Sequence, residues 1–282
     1  MNLLPEIPKE RYNDTQWVLD WLKENPIIGH ADTSPIEYFH CFWRGPISDL
    51  HLMSLHSLDK FHPNSKIIFW TTNIIDIEKC EVWIKIKNLL KERIELKVLL
   101  EIDFNESGAS SLYSTYKSAT TNMPGKSKDN EGLAYISDIV RFIVLYLYGG
   151  VWFDMDVLFL RNLDSIKLKR FVSQWGTDEC GNAAILKLEK GHNLNTKIIL
   201  SFEKPFHPLT SLKENNDLDL TILPSTLFDI LWRPKSQIPN LQFNDLDDFF
   251  KLEKFDLPKE IYSYHWHNRW TYPTPPFFKT NA

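Results

Sequence analysis

Residues 133–156, L-A-Y-I-S-D-I-V-R-F-I-V-L-Y-L-Y-G-G-V-W-F-D-M-D, decide the fold. From 133 to 148 apolar side chains fall on nearly every face of a helical projection, which predicts a helix buried on most sides. Gly149 and Gly150 end it, because glycine takes the left-handed geometry of a helix C-cap without steric cost. Beyond them V-W-F-D-M-D-V-L-F-L, 151–160, predicts a strand. On extended chain residues two apart share a face, so Asp154 and Asp156 are expected to project together while Met155 points away. In an open α/β sheet ligands sit outside the carboxyl ends of strands, so acidic residues there are placed for chemistry.

Working outward, the chain alternates strands and helices. A short helix is expected over 15–24, capped by Asn13 or Asp14 and stopped by Pro26; Trp17 and Trp21, one turn apart on it, read as packing residues. The run 36–43, I-E-Y-F-H-C-F-W, reads as a buried strand, broken by Arg44-Gly45-Pro46 before a helix over 48–61 that Ser48 and Asp49 can start. Strand 66–71, helix 77–90 and strand 96–102 follow. This succession predicts an α/β fold with a mostly parallel sheet flanked by helices. Residues 1–35 are then an N-terminal helical extension and 36–282 a single domain.

Composition removes several function classes. A formal net charge of −5 offers no basic excess to neutralise a phosphate backbone, so nucleic acid is not expected as a partner. Cys41, Cys80 and Cys180 are odd in number and far apart, which fits neither a disulfide framework nor a zinc site and points to a reducing, cytoplasmic setting. Residues 1–9 lack the basic and apolar regions of a secretory signal. The longest apolar stretch, 139–151, is interrupted by Arg141 and too short to span a bilayer, so no transmembrane segment is expected.

Two carboxylates at one strand end suit a hard divalent cation that keeps open positions for water and diphosphate oxygens. The plainer reading is a solvated strand end. Against it, Asp154 and Asp156 follow a strongly apolar segment, where unpaired carboxylates are costly and a cation relieves the cost. On the preceding helix Asp138 and Arg141 lie three apart on one face. They read either as an internal ion pair or as groups that meet sugar hydroxyls, Arg141 also balancing a diphosphate.

The stretch 137–156, S-D-I-V-R through L-Y-G-G-V-W-F-D-M-D, resembles the DXD-containing sugar transferases. That group includes the α-1,4-galactosyltransferases and initiating mannosyltransferases and, more distantly, the catalytic domain of the clostridial glucosylating toxins. Further pieces agree in order. Phe42-Trp43-Arg44-Gly45-Pro46 is similar to the family's first strand and turn, and Gly181-Asn182 with Gly191-His192 to the segment near the donor sugar. Leu223-Pro224-Ser225-Thr226-Leu227 is similar to a G-P-x-x-L turn with leucine for the glycine, and 264–270, Y-H-W-H-N-R-W, to the closing H-x-x-x-S-W element with Arg269 for the serine.

The resemblance implies a GT-A fold, a UDP-sugar donor, Mn²⁺ (or Mg²⁺) and retention of anomeric configuration. It implies that Asp156 binds the metal directly, that Asp154 reaches the ribose or the metal through water, and that Trp43 stacks on the base. Asn182 would lie by the donor sugar, and Asp138 and Arg141 would hold its hydroxyls. His265, rather than His267, is the expected third metal ligand, since imidazole beside carboxylates suits Mn²⁺. The expected partners are a nucleotide sugar and a glycan or glycosylated acceptor, as in polysaccharide biosynthesis. The alternatives are an effector that modifies a protein and a non-catalytic carbohydrate-binding module. A glycoside hydrolase is disfavoured, because its two acids must flank a bond from opposite sides.

Overall fold

The computed structural model describes residues 9–11, 14–25, 34–99, 130–166, 168–175, 181–192, 220–229 and 260–267. Five helices lie in them: α1 (Thr15–Glu24), α2 (Asp49–Phe61), α3 (Ile74–Glu78), α4 (Glu81–Leu90) and α5 (Asn130–Tyr148). The strands are β1 (Tyr38–Phe42), β2 (Lys66–Thr71), β3 (Ile94–Val98), β4 (Gly150–Phe153), β5 (Val157–Phe159), β6 (Phe171–Gln174), β7 (Gly181–Leu188), β8 (Thr221–Leu223) and β9 (Ser263–His265). Seven form one sheet in the order β3-β2-β1-β4-β7-β6-β8, and β5 pairs with β9 in a second, two-stranded sheet. In the large sheet β7 runs antiparallel to β4 and β6, and the remaining pairs are parallel. The α/β class with a mostly parallel sheet is therefore the one the sequence predicts.

Both faces of the sheet are covered, and alternation sorts the side chains between them. Phe39, Cys41, Ile67, Phe69, Val151 and Phe153 enter one apolar cluster with α1, α2 and α4. Phe42, Ile68, Trp70 and Trp152 enter the other, against α5. In α5, Ile139, Val140, Phe142, Ile143, Val144 and Leu145 are all buried, as its sequence requires. Each such side chain contributes about 1.5–3 kcal/mol. Among the described residues no helix is long and apolar enough to cross a membrane.

The glycine pair after α5 behaves as predicted, with φ of +70° at Gly149 and +100° at Gly150. A Cβ on Gly150 would lie 2.4 Å from the Tyr38 carbonyl oxygen, so β4 can enter the sheet beside β1 only with glycine there. Inside the sheet His40 joins three elements, its Nδ1 accepting from Trp70 Nε1–H (3.3 Å) and its Nε2–H donating to the Gly149 carbonyl (3.0 Å). Burial pushes this imidazole down to about 4, so it is neutral.

Three expectations are corrected. The helix expected over 77–90 is two, because Asn73 caps α3 through Ile75 N–H and Cys80 then takes an extended backbone before α4. The third strand starts at Ile94, two residues early, and residues 100–102 lie outside the described residues. The strand expected over 151–160 is broken: residues 154–156 form a turn closed by Val157 N–H to the Asp154 carbonyl (3.1 Å). Asp154 N–H still reaches the Ala184 carbonyl (2.8 Å), which ends the β4–β7 ladder. The chain then leaves the large sheet, and β5 pairs with β9.

Candidate active site

The strand order reverses between β1 and β4, since β2 and β3 lie to one side of β1 and the later strands beyond β4. Such a switch point opens a crevice at the carboxyl ends of the two strands. Trp43 follows the end of β1 and Asp154 follows the end of β4.

The turn separates the surroundings of the two aspartates. Asp154 Oδ1 accepts from Trp152 Nε1–H at 2.8 Å and lies 3.4 Å from Arg141 Nη2. The same Nη2 lies 2.8 Å from Asp138 Oδ1, and the guanidinium stands 5.4 Å from the centre of the Trp152 ring. The internal ion pair on α5 therefore exists, and it reaches the D-x-D turn as well. Arg141 is buried while Asp138 keeps 30% of its side chain exposed, so the acid is the accessible member of the pair.

Asp156 takes different partners from the same turn. Its Oδ1 lies 3.1 Å from His265 Nε2, and its carbonyl accepts from Trp266 N–H at 3.1 Å. β9 is held against the turn through the pairing of Val157 with His265. α2 anchors β5 from the other side, where Ser54 Oγ donates to the Val157 carbonyl (2.6 Å) and Phe159 N–H donates to Ser57 Oγ (2.9 Å). Asp154, Asp156 and His265 each bring a ligand atom within 4.8 Å of the others. Burial works against a charged ring at His265. Asp156, by charge and hydrogen bond, and then Asp229 and Asp154 outweigh it and push the imidazole up to about 9.

Trp43 is half-buried, its Nε1–H donating to the Pro46 carbonyl (3.0 Å) and its ring packed at 4.0 Å on His51. His51 was not foreseen. Its Nδ1 accepts from Ser48 N–H at 2.9 Å, completing a capping box at the start of α2. Burial holds His51 near 4 against the pull of Asp156, so it is neutral at the edge of the site. Asn182 is buried on β7 beside the irregularity at Val172/Ser173; its Oδ1 accepts from Ala184 N–H (2.9 Å), the residue whose carbonyl holds Asp154. One further residue went unpredicted as a site group, Asp229 after the turn Ser225–Leu227; it lies 2.7 Å from His267, the histidine passed over in favour of His265. Residues 268–270 of the closing motif, Cys180 and Asn13 lie outside the described residues.

Residues 48–172 match the family described as glycosyltransferase sugar-binding region containing DXD motif. The match includes Asp138, Arg141, Asp154 and Asp156, and ends before Asn182, Asp229 and His265. No curated protein matches the chain. Among solved structures it is similar to one titled PaToxG Glycosyltransferase, at 15% identity over 68% of this chain and 69% of that one, with a TM-score of 0.42. It is similar to the UDP-bound glycosyltransferase domain from the YGT toxin, at 14% identity over 65% and 64%, TM-score 0.39. It is also similar to the glycosyltransferase GlyE in Streptococcus pneumoniae TIGR4, at 14% identity over 68% of this chain and 46% of that one, TM-score 0.39.

Proposed function

We propose that this chain, which carries a glycosyltransferase DXD region, moves a hexose from a UDP-sugar to a hydroxyl of a glycan under assembly, with retention of configuration. The observation that carries the reading is the convergence of Asp154, Asp156 and His265 within 4.8 Å at the switch point, with Arg141 alongside. Two carboxylates and an imidazole suit Mn²⁺, or Mg²⁺, so the residues fit the metal that the family pattern implies. In this reading Asp156 and His265 hold the ion. The ion supplies positive charge to a leaving diphosphate. Asp154, whose Oδ1 already takes a hydrogen bond from Trp152 and faces Arg141, suits the ribose or a water on the metal better than direct ligation.

The remaining groups divide the donor between them. Trp43 stacks on the base, Arg141 balances diphosphate charge, and Asp138 takes sugar hydroxyls with its exposed carboxylate. Asn182 stands near the donor sugar. As the bond from the anomeric carbon to the phosphate oxygen breaks, the acceptor oxygen bonds to the same face of that carbon. The acceptor proton passes to the departing phosphate oxygen, so no protein nucleophile is needed. We take residues 36–282 as one catalytic domain with 1–35 as an extension, α1 lending Val18 and Leu22 to the main core. A cytoplasmic setting accords with Cys41 and Cys80, both free.

A panel of nucleotide sugars, scored for nucleotide release and transfer with Mn²⁺ and with a chelator, tests the reading. Release from one UDP-sugar that requires the ion, with an α-linked product from an α-linked donor, is expected. Equal release in chelator, or inversion at the anomeric carbon, would overturn the corresponding part.

A further inference from the structure

We infer that Asp229 is a positioning residue for the metal ligand assigned to His265, and that His267 fixes Asp229 in turn. The inference rests on the reading above, in which His265 Nε2 faces the cation. A histidine that gives one ring nitrogen to a metal carries its proton on the other, and that N–H needs an acceptor behind it. In this chain the other nitrogen, His265 Nδ1, is buried and has no hydrogen-bond partner among the described residues. The carboxylate behind it is Asp229, with Oδ2 at 3.9 Å.

Asp229 is only 2% exposed, and its Oδ1 also lacks a hydrogen-bond partner among the described residues. Oδ2 holds His267 Nε2 at 2.7 Å, and the rings of His265 and His267 pack with centres 3.8 Å apart and planes tilted by 31°. The backbone supporting Asp229 is tied to β9. Asp229 N–H donates to the Ser225 carbonyl (2.7 Å), Tyr262 N–H to the Leu227 carbonyl (2.7 Å), and Ser263 Oγ to the Phe228 carbonyl (2.9 Å). A row of side chains thus runs from the D-x-D turn inward, Asp156 to His265 to Asp229 to His267. Burying a carboxylate at this depth is costly unless it serves a cation or a donor. Holding the imidazole in one orientation and one tautomer gives this one a use.

Asp229, His265 and His267 also lie close enough to hold a cation by themselves, with ligand atoms within 4.8 Å. The stoichiometry of binding separates that arrangement from the one proposed. The test is Mn²⁺ titration of the full chain followed by calorimetry and by the paramagnetic signal of the unbound ion, in wild type, Asp156→Asn, Asp229→Asn and His267→Asn. Asparagine tolerates the positive backbone angle at His267, φ 50°.

One ion per chain is expected, lost in Asp156→Asn and bound about 10–100-fold more weakly in Asp229→Asn, the usual cost of removing such an outer partner. His267→Asn should weaken it several-fold, with thermal melts of the folded variants close to wild type. Wild-type affinity in folded Asp229→Asn, beside loss in Asp156→Asn, would overturn the positioning role alone. Equal affinity in wild type and Asp156→Asn would instead overturn the metal reading on which it rests. Two ions per chain, one lost with His267, would replace the positioning role with a second metal site. Should Asp229→Asn fail to fold, His267→Asn decides: several-fold weakening supports the role, and unchanged affinity ends it.

Discussion

Asp154 and Asp156 are separated by one residue, yet their surroundings share little. Asp154 is served by the α5 side of the crevice, through the Trp152 indole N–H and the Arg141 guanidinium. Asp156 is served by the β9 side, through His265, with Asp229 and His267 behind it. The first environment offers permanent donors and a fixed positive charge. The second offers an imidazole, which can yield a nitrogen to a metal where a guanidinium cannot. The difference teaches that the two acids of a D-x-D pair on a turn can be given different partners, one an indole N–H and a guanidinium, the other an imidazole.

Asp156→Asn attacks the β9 side and should have the largest effect. Transfer is expected to fall at least about 1000-fold, or about 4 kcal/mol of barrier, with an unchanged melt. Unchanged turnover at saturating Mn²⁺ would remove the asymmetry between the two acids.

His40 sharpens the comparison from inside the sheet, as a buried histidine with no neighbouring carboxylate among the described residues. Its folded-state value near 4 lies below the ordinary 6.5, so the unfolded chain binds more protons between those values. Its contribution to stability is present above pH 6.5 and lost as pH falls toward 4, by about 3 kcal/mol. Urea unfolding of wild type and His40→Gln across that window should show the variant losing less. Parallel curves would mean that His40 is not held neutral.

Trp43→Ala tests the far wall of the crevice. Calorimetry with free UDP should show binding weaker by about 1–3 kcal/mol, the scale of an aromatic ring stacked on a base. Unchanged affinity in the folded variant would make Trp43 packing for His51 alone.

Asp138→Asn probes the α5 side and should cost least. Free UDP binding should survive while single-turnover transfer falls about tenfold, equal to about 1.4 kcal/mol. A purely structural pair would give a much lower melt and damage nucleotide and sugar binding together.

Helix α5, its glycine stop and the parallel first half were legible because periodicity and punctuation are local. The D-x-D turn was not. Its residues read as the middle of an apolar strand, and only the antiparallel pairing of β5 with β9, more than a hundred residues away, draws the chain out of the large sheet. β7 is buried along its whole length, so its sequence carries no alternation to show that it runs against its neighbours. Asp138, Arg141 and both aspartates could be named because they fall in one motif of twenty residues. Asp229 could not, since an acid after a short turn carries no sequence signal until the fold sets it behind His265. His51 left one trace, the Ser48-x-x-His51 spacing of a capping box, which marks a helix start and not a site.

The central claim is that the turn and His265 hold a divalent ion that receives the nucleotide diphosphate. Calorimetric titration of UDP into the wild-type chain, with Mn²⁺ and again with a chelator, tests it most directly. The account predicts at least tenfold tighter binding with the ion, a gain of about 1.4 kcal/mol. The same affinity in chelator as in Mn²⁺ would contradict it.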